Sequence, residues 1–240
     1  MYVVSPLSNC ISQQARESFM NYIRDVAKVT YATEPNTLAY AWFYSTGDND
    51  NVPDHYVRGF EVFEANRVTH RCSNEYKRFR SAVQSEKLLE RPSDLRFLKP
   101  TDIGFMIRQP EPMRSGPEAG YVVIDEIRPP KGRKHELLKA VNGVASAAEA
   151  MGGVRSYWVL EYLEEYGDDT ILLFQKFRAK DEYERLGSLT QLQHQWSPPD
   201  NPQYSDQSSG QFSIASGCDS CDGTSYMMAS AFGGEATAPS

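Results

Sequence analysis

His70 is the side chain best suited to move a proton near neutral pH, because an unperturbed imidazole titrates in that range. The residues before it read as a helix, and a helix C-terminus favours the imidazolium formed once a proton has been taken up. The same place also suits an ordinary helix-end histidine. Upstream, Tyr40, Trp42 and Tyr44 alternate within LAYAWFY, so one strand face carries three flat rings. Such a face either stacks on a polycyclic ligand, with the Tyr and Trp polar atoms fixing its oxygens, or packs as core beneath a helix. Asn66 and Arg78 are candidates to orient a carbonyl or steady a developing oxyanion, although the helices expected there also leave such residues in water. His55, beside Asp54, is a second candidate base, and Phe60, Tyr157 and Trp158 complete the candidate binding set. The chemistry these residues fit is proton abstraction from a flat aromatic molecule.

Signatures of other chemistries are missing from the sequence. There is no GxGxxG after a strand, no P-loop, no HExxH and no GxSxG, and the four histidines lack metal-ligand spacing, so neither cofactor nor metal is expected. Cys218 and Cys221 form a CxxC inside GCDSCDG without a second pair or a redox βαβ context, and read as chance placement. A net charge of -7 argues against a nucleic acid or anionic membrane partner. The basic residues Arg67, Arg71, Lys77, Arg78 and Arg80 have acidic neighbours and read as a solvated helix face. With no run of about 20 apolar residues and no basic, apolar leader in MYVVSPLSNC, the expectation is a cytoplasmic protein whose partner is a small aromatic molecule.

The elements that must position these residues come in two similar sets. Tyr2-Val3-Val4 recurs as Tyr121-Val122-Val123, and FEVFEA recurs as FQKFRA, matching Phe60, Phe63 and Ala65 with Phe174, Phe177 and Ala179. Between the paired phrases, Ile11, Ala15, Phe19, Tyr22, Val26 and Val29 step by three and four, as do Leu137, Val141, Val144, Ala148 and Met151; both sets predict a helix with one apolar face. Strand-like segments follow each helix, LAYAWFY in the first half and VRSYWVLEY in the second. Ser73 can cap a further helix carrying Tyr76, Phe79 and Val83, a strand near Leu95 to Leu98 closes the first copy, and Ile103 to Ile107 can add another.

Each set follows the ferredoxin-like order, an antiparallel sheet with helices on one face. The bare faces need cover, and two copies in one chain can supply it to each other. The fold class expected is therefore α+β: a first repeat over 1–100, a linker over 101–119, a second repeat over 120–195, and a disordered, Ser- and Gly-rich tail over 196–240. The two repeats form an intramolecular dimeric α/β barrel, a pseudo-dimeric monomer open to further homo-oligomerisation.

The run EPNTLAYAWFYSTG, then YVRGFEVFEANRVTH, then RCSNEYKRF resembles the antibiotic biosynthesis monooxygenase (ABM) family of the dimeric α/β-barrel superfamily. Glu34-Pro35-Asn36-Thr37 stands at the family's turn, followed by Tyr40, the strand Phe60 to Glu64, Ala65, His70, Ser73 and Phe79. The second half departs in detail, with Met151-Gly152-Gly153 at the turn and Glu184 in the place of His70. What the resemblance implies is a tandem, fungal-like member among cofactor-independent oxygenases that turn phenols or anthrones of polyketide pathways into quinones, with O₂ as co-substrate. Such a reaction needs a base, the part that falls to His70. A cofactor-free cyclase, dehydratase or isomerase, and a non-catalytic barrel that binds a small aromatic ligand, are the other readings.

Overall fold

The computed structural model describes residues 1–45, 52–64, 71–106, 120–164, 169–190, 210–213 and 226–227. The first half contains β1 (Tyr2–Val4), β2 (Leu7–Asn9), α1 (Gln13–Thr33), β3 (Thr37–Ser45), β4 (Tyr56–Phe63), α2 (Asn74–Ser85) and β5 (Phe97–Phe105). The second contains β6 (Tyr121–Ile127), α3 (Lys134–Ala150), β7 (Val154–Tyr162), β8 (Ile171–Phe177) and α4 (Lys180–Thr190), with β9 (Gly210–Ser213) and β10 (Tyr226–Met227) beyond them. The two halves repeat in register. Val4 faces Glu61 in the first ladder as Val123 faces Gln175 in the second, and Tyr2 faces Phe63 as Tyr121 faces Phe177.

All strand pairings are antiparallel, and they close a ring. β3 pairs β4, β4 pairs β1, β1 pairs β5, and β5 crosses to β7 of the other half. β7 pairs β8, β8 pairs β6, β6 pairs β9, and β9 returns to β3. Each half thus lends its last strand to the neighbour's edge, which removes the open edges that a lone ferredoxin-like sheet would expose. β9 and β10 lie inside the segment expected to be disordered. The backbone groups along the β3 and β6 edges would otherwise lack partners, and this supplies a gain that the composition of the tail does not display.

The ring explains the alternation along the strands. One phase points into the barrel, which side chains fill: Phe43, Phe60, Val62, Leu98, Ile124, Trp158, Leu160 and Phe174 are all buried there. Phe60 and Phe174, equivalent residues of the two halves, stack at 4.2 Å. The opposite phase meets the helices. Tyr40, Trp42 and Val57 pack under Phe19, Ile23 and Val26 of α1 and Phe79 of α2, while Tyr157, Val159, Leu173 and Phe177 pack under Leu137, Val141 and Ala148 of α3. Helices α1 and α2 each begin with a serine cap: Ser12 Oγ accepts from the Ala15 N–H and Ser73 Oγ from the Tyr76 N–H, each at 3.1 Å.

The boundary expected at residue 100 is crossed by β5, a single strand through Phe105 with a register shift between Pro100 and Gly104. Pro100 has no N–H to give the ladder, and the Thr101 hydroxyl bridges the gap by donating to the Val159 carbonyl at 2.8 Å and accepting from the Ile103 N–H at 3.1 Å. Gly104 has φ +88° and lies directly against the Tyr157 carbonyl, where no side chain fits.

One end of the barrel is closed by charge. Arg58, fully buried, donates to Ser5 Oγ at 2.8 Å and to Glu126 Oε1 at 2.7 Å, and Arg96 Nε donates to the same Glu126 oxygen at 2.8 Å. Burial pulls the Arg58 pKa down and the Glu126 carboxylate opposes it. A carboxylate of the second half therefore holds two guanidiniums of the first.

Candidate functional site

A cavity of about 440 Å³ lies on the helix-facing side of the first sheet, within the range of small-molecule sites. Its floor is Val4 of β1, Tyr40 and Trp42 of β3, and Glu61 and Phe63 of β4; its wall is Tyr76, Phe79 and Arg80 of α2, and Pro92, Ser93 and Leu95 lie on the approach to β5. Strand pairing sets the floor, since Tyr40 sits opposite Glu61 and Trp42 opposite Gly59. Gly59 is required for close approach. A Cβ there would stand 2.9 Å from the Trp42 indole and 2.9 Å from Pro6, so the missing side chain is what lets the indole lie flat on β4.

Three polar groups meet in this apolar setting. Burial, and then the charge of Glu61, push the Tyr40 hydroxyl well above its ordinary pKa, so it stays a neutral phenol. The Glu61 carboxyl is itself buried. The indole Nε1 of Trp42 is buried and short of a well-formed hydrogen bond, with the Tyr40 hydroxyl oxygen as its neighbouring acceptor. Phe19 of α1 braces the indole at 5.5 Å and is itself met edge-on by Phe79 of α2 at 5.1 Å, so the aromatic floor is fixed from behind through α1. Arg71 and Arg80, both exposed, line the rim.

The other residues singled out by sequence stand elsewhere. Tyr44 continues the β3 face but lies under Arg16, 4.5 Å from its guanidinium, and bonds Glu17 and Arg24, each at 3.3 Å. His55 contacts Asp54 at 3.4 Å and packs edge-on against Tyr56, away from the cavity. Arg78 is exposed and ion-paired to Asp25 at 2.8 Å. Phe60 and Trp158 belong to the filled barrel, where the period-two alternation puts them, and line no part of this cavity. Tyr157 is the second-half counterpart of Tyr40, buried under α3 with its hydroxyl unpartnered. His70 and Asn66 lie outside the described residues. Glu184, in the place of His70 in the second half, is exposed on α4.

Sequence reasoning passed over Glu61, Arg71 and Arg80. Glu61 is legible in retrospect: in FEVFE it shares a strand face with Phe63 and, across the ladder, with Tyr40. The rim arginines were indistinguishable from the solvated basic face that Arg78 does occupy. Among the described residues, no group of three or more His, Cys, Asp or Glu is gathered as a metal site, and no helix is long and apolar enough to cross a membrane.

No protein-family model matches the chain, and no curated protein matches its sequence. Solved structures do match its fold. A protein from Fusobacterium nucleatum, provisionally named a monooxygenase, superposes with a TM-score of 0.66 at 9% identity over 89% of this chain and 92% of that one. A provisionally named monooxygenase from Lactobacillus acidophilus gives 0.63 at 9% identity over 88% and 93%. An anthrone oxidase-like protein gives 0.55 at 12% identity over 88% and 90%. The tandem α/β-barrel fold implied by the ABM resemblance is the fold these chains share.

Proposed function

We propose that the protein is a cofactor-independent monooxygenase that oxidises an aromatic polyketide, of phenol or anthrone type, to a quinone in secondary metabolism. The observation that carries this reading is the first-half cavity, where a buried carboxyl and a flat aromatic floor with a buried indole N–H share one side of the sheet. The monooxygenase and anthrone oxidase-like names of fold neighbours agree with it.

In this scheme the substrate ring lies against Tyr40 and Trp42, and its oxygen accepts from the Tyr40 hydroxyl or the Trp42 N–H. A base removes a proton from the activated CH₂. Within the described cavity that base is Glu61, with His70 the alternative that the sequence offers. The carbanion passes one electron to O₂, the radical pair joins as a C–O bond, and the resulting peroxide loses water as its O–O bond breaks. The balance is one CH₂ and one O₂ to one C=O and one H₂O. Stabilisation of the anion by neutral donors on the buried floor of the cavity is the protein's part.

Oxygen uptake with an anthrone tests the scheme. Glu61→Gln is expected to lower kcat by about 10²-fold or more, as loss of a general base does, with KM little changed, and His70→Ala divides the role between the two residues. Full uptake by both variants removes proton abstraction by these groups. No uptake by the parent protein, with product formed from a cyclisation or dehydration substrate, moves the same cavity to proton chemistry.

A further inference from the structure

Arg71 and Arg80 are the two cationic side chains that line the cavity. Acidic residues outnumber basic ones by 32 to 25, so cations are in short supply. Arg78, on the same helix as Arg80, is held by Asp25, and Arg16, Arg58, Arg96 and Arg133 each meet a carboxylate. Arg71 and Arg80 meet none among the described residues, although both line the cavity rim and one buried carboxyl lies on its floor. A guanidinium at the mouth of an aromatic-floored cavity offers a planar fork that matches a carboxylate. We propose that Arg71 and Arg80 form a clamp for a substrate carboxylate, so that the ligand is an aromatic acid whose ring system reaches Tyr40 and Glu61 while its acidic end stays at the rim. This rests on the reading of the cavity as the substrate site. It adds polarity to that reading: the clamp fixes which end of the molecule enters, and keeps the carboxylate away from the like charge of Glu61.

Equilibrium binding to the full chain tests the clamp without requiring turnover. Anthracene-2-carboxylate and its neutral methylamide are titrated by calorimetry at low salt. The carboxylate is expected to bind about tenfold more tightly, the scale of one charge-assisted hydrogen bond at a partly solvated site. The advantage should shrink with added salt, as for any exposed charge pair. Arg71→Gln and Arg80→Gln should each reduce it and the double variant abolish it, with methylamide affinity unchanged; Arg133→Gln, on the second half, should leave both affinities alone. Equal binding of the two ligands, or a carboxylate preference that survives in the double variant, overturns the clamp while leaving the cavity reading intact. Failure of both ligands to bind overturns the clamp and the cavity reading together.

Discussion

Asp125 offers a test of the second half that is independent of turnover. It sits on β6, on the helix-facing side with Tyr121 and Val123, fully buried, with Gln175 Nε2 donating to its Oδ2 at 2.8 Å. Burial raises its pKa from the ordinary 3.8 to about 7, and the Gln175 bond only partly offsets this. Because the folded pKa lies above the unfolded one, the folded protein holds the extra proton between these values. Stability linked to this group is complete below about pH 4 and drains away as pH rises through 7. At 1.36 kcal/mol per unit the full penalty is about 4 kcal/mol. Asp125→Asn keeps the shape and an acceptor for Gln175 but has nothing to ionise. Urea denaturation of both proteins from pH 4 to 8.5 should show the variant gaining on the parent by nearly that amount, mostly between about pH 4 and 7 and levelling off above it. Other titrating groups are common to both and cancel in the difference. Parallel stability curves would refute the reasoning, since they would mean that Asp125 ionises in the folded protein as freely as in water.

Glu126→Gln leaves Arg58 buried without its counter-charge and Arg96 with Asp94 alone, and denaturant titration is expected to show a loss of about 3–5 kcal/mol, the scale of breaking a buried pair. Adding Arg58→Met should recover part of it, since the stranded cation is then gone. Gly59→Ala drives a methyl group against the Trp42 ring and Pro6; a cost of about 1–3 kcal/mol is expected, with weaker binding of aromatic ligands in the same preparation by calorimetry. Ending the chain at Asp206 removes β9 and β10 and bares the β3 and β6 edges, so sedimentation should show stronger concentration-dependent self-association than the full chain does.

The repeat was legible because strand matches survive where residues face the same neighbours. The pairs Tyr2 with Tyr121, Val4 with Val123 and Phe63 with Phe177 occupy equivalent ladder positions in the two halves. The helices were legible from their apolar spacing, and the Ser73 cap from its residue type. Strand exchange was not. Pro100 reads locally as a break, yet β5 continues past it because the partner strand β7 belongs to the other half, and local sequence carries no trace of that partner. β9 was hidden for the same reason. At the site, alternation placed Tyr40 and Trp42 on one face but could not say whether Phe60 or Glu61 shares it. That choice depends on the β3–β4 register, which sets Tyr40 against Glu61 and turns Phe60 inward.

That register also explains how the two halves could diverge without losing the barrel. At equivalent positions the first half has Tyr40, Trp42, Gly59 and Glu61, and the second has Tyr157, Val159, Leu173 and Gln175. All eight point away from the barrel, so none contributes to the stacked Phe60 and Phe174 or to the Arg58–Glu126 pair that join the halves. In the first half the indole spreads over a glycine and a carboxyl lies beside it. In the second, Leu173 and Val159 join the apolar packing under α3, and the carboxylate of the first ladder is replaced by an amide. A homodimer must change both copies at once. A fused pair can let one helix-facing layer diverge while the other keeps its apolar packing, because the side chains that join the halves inside the barrel point inward.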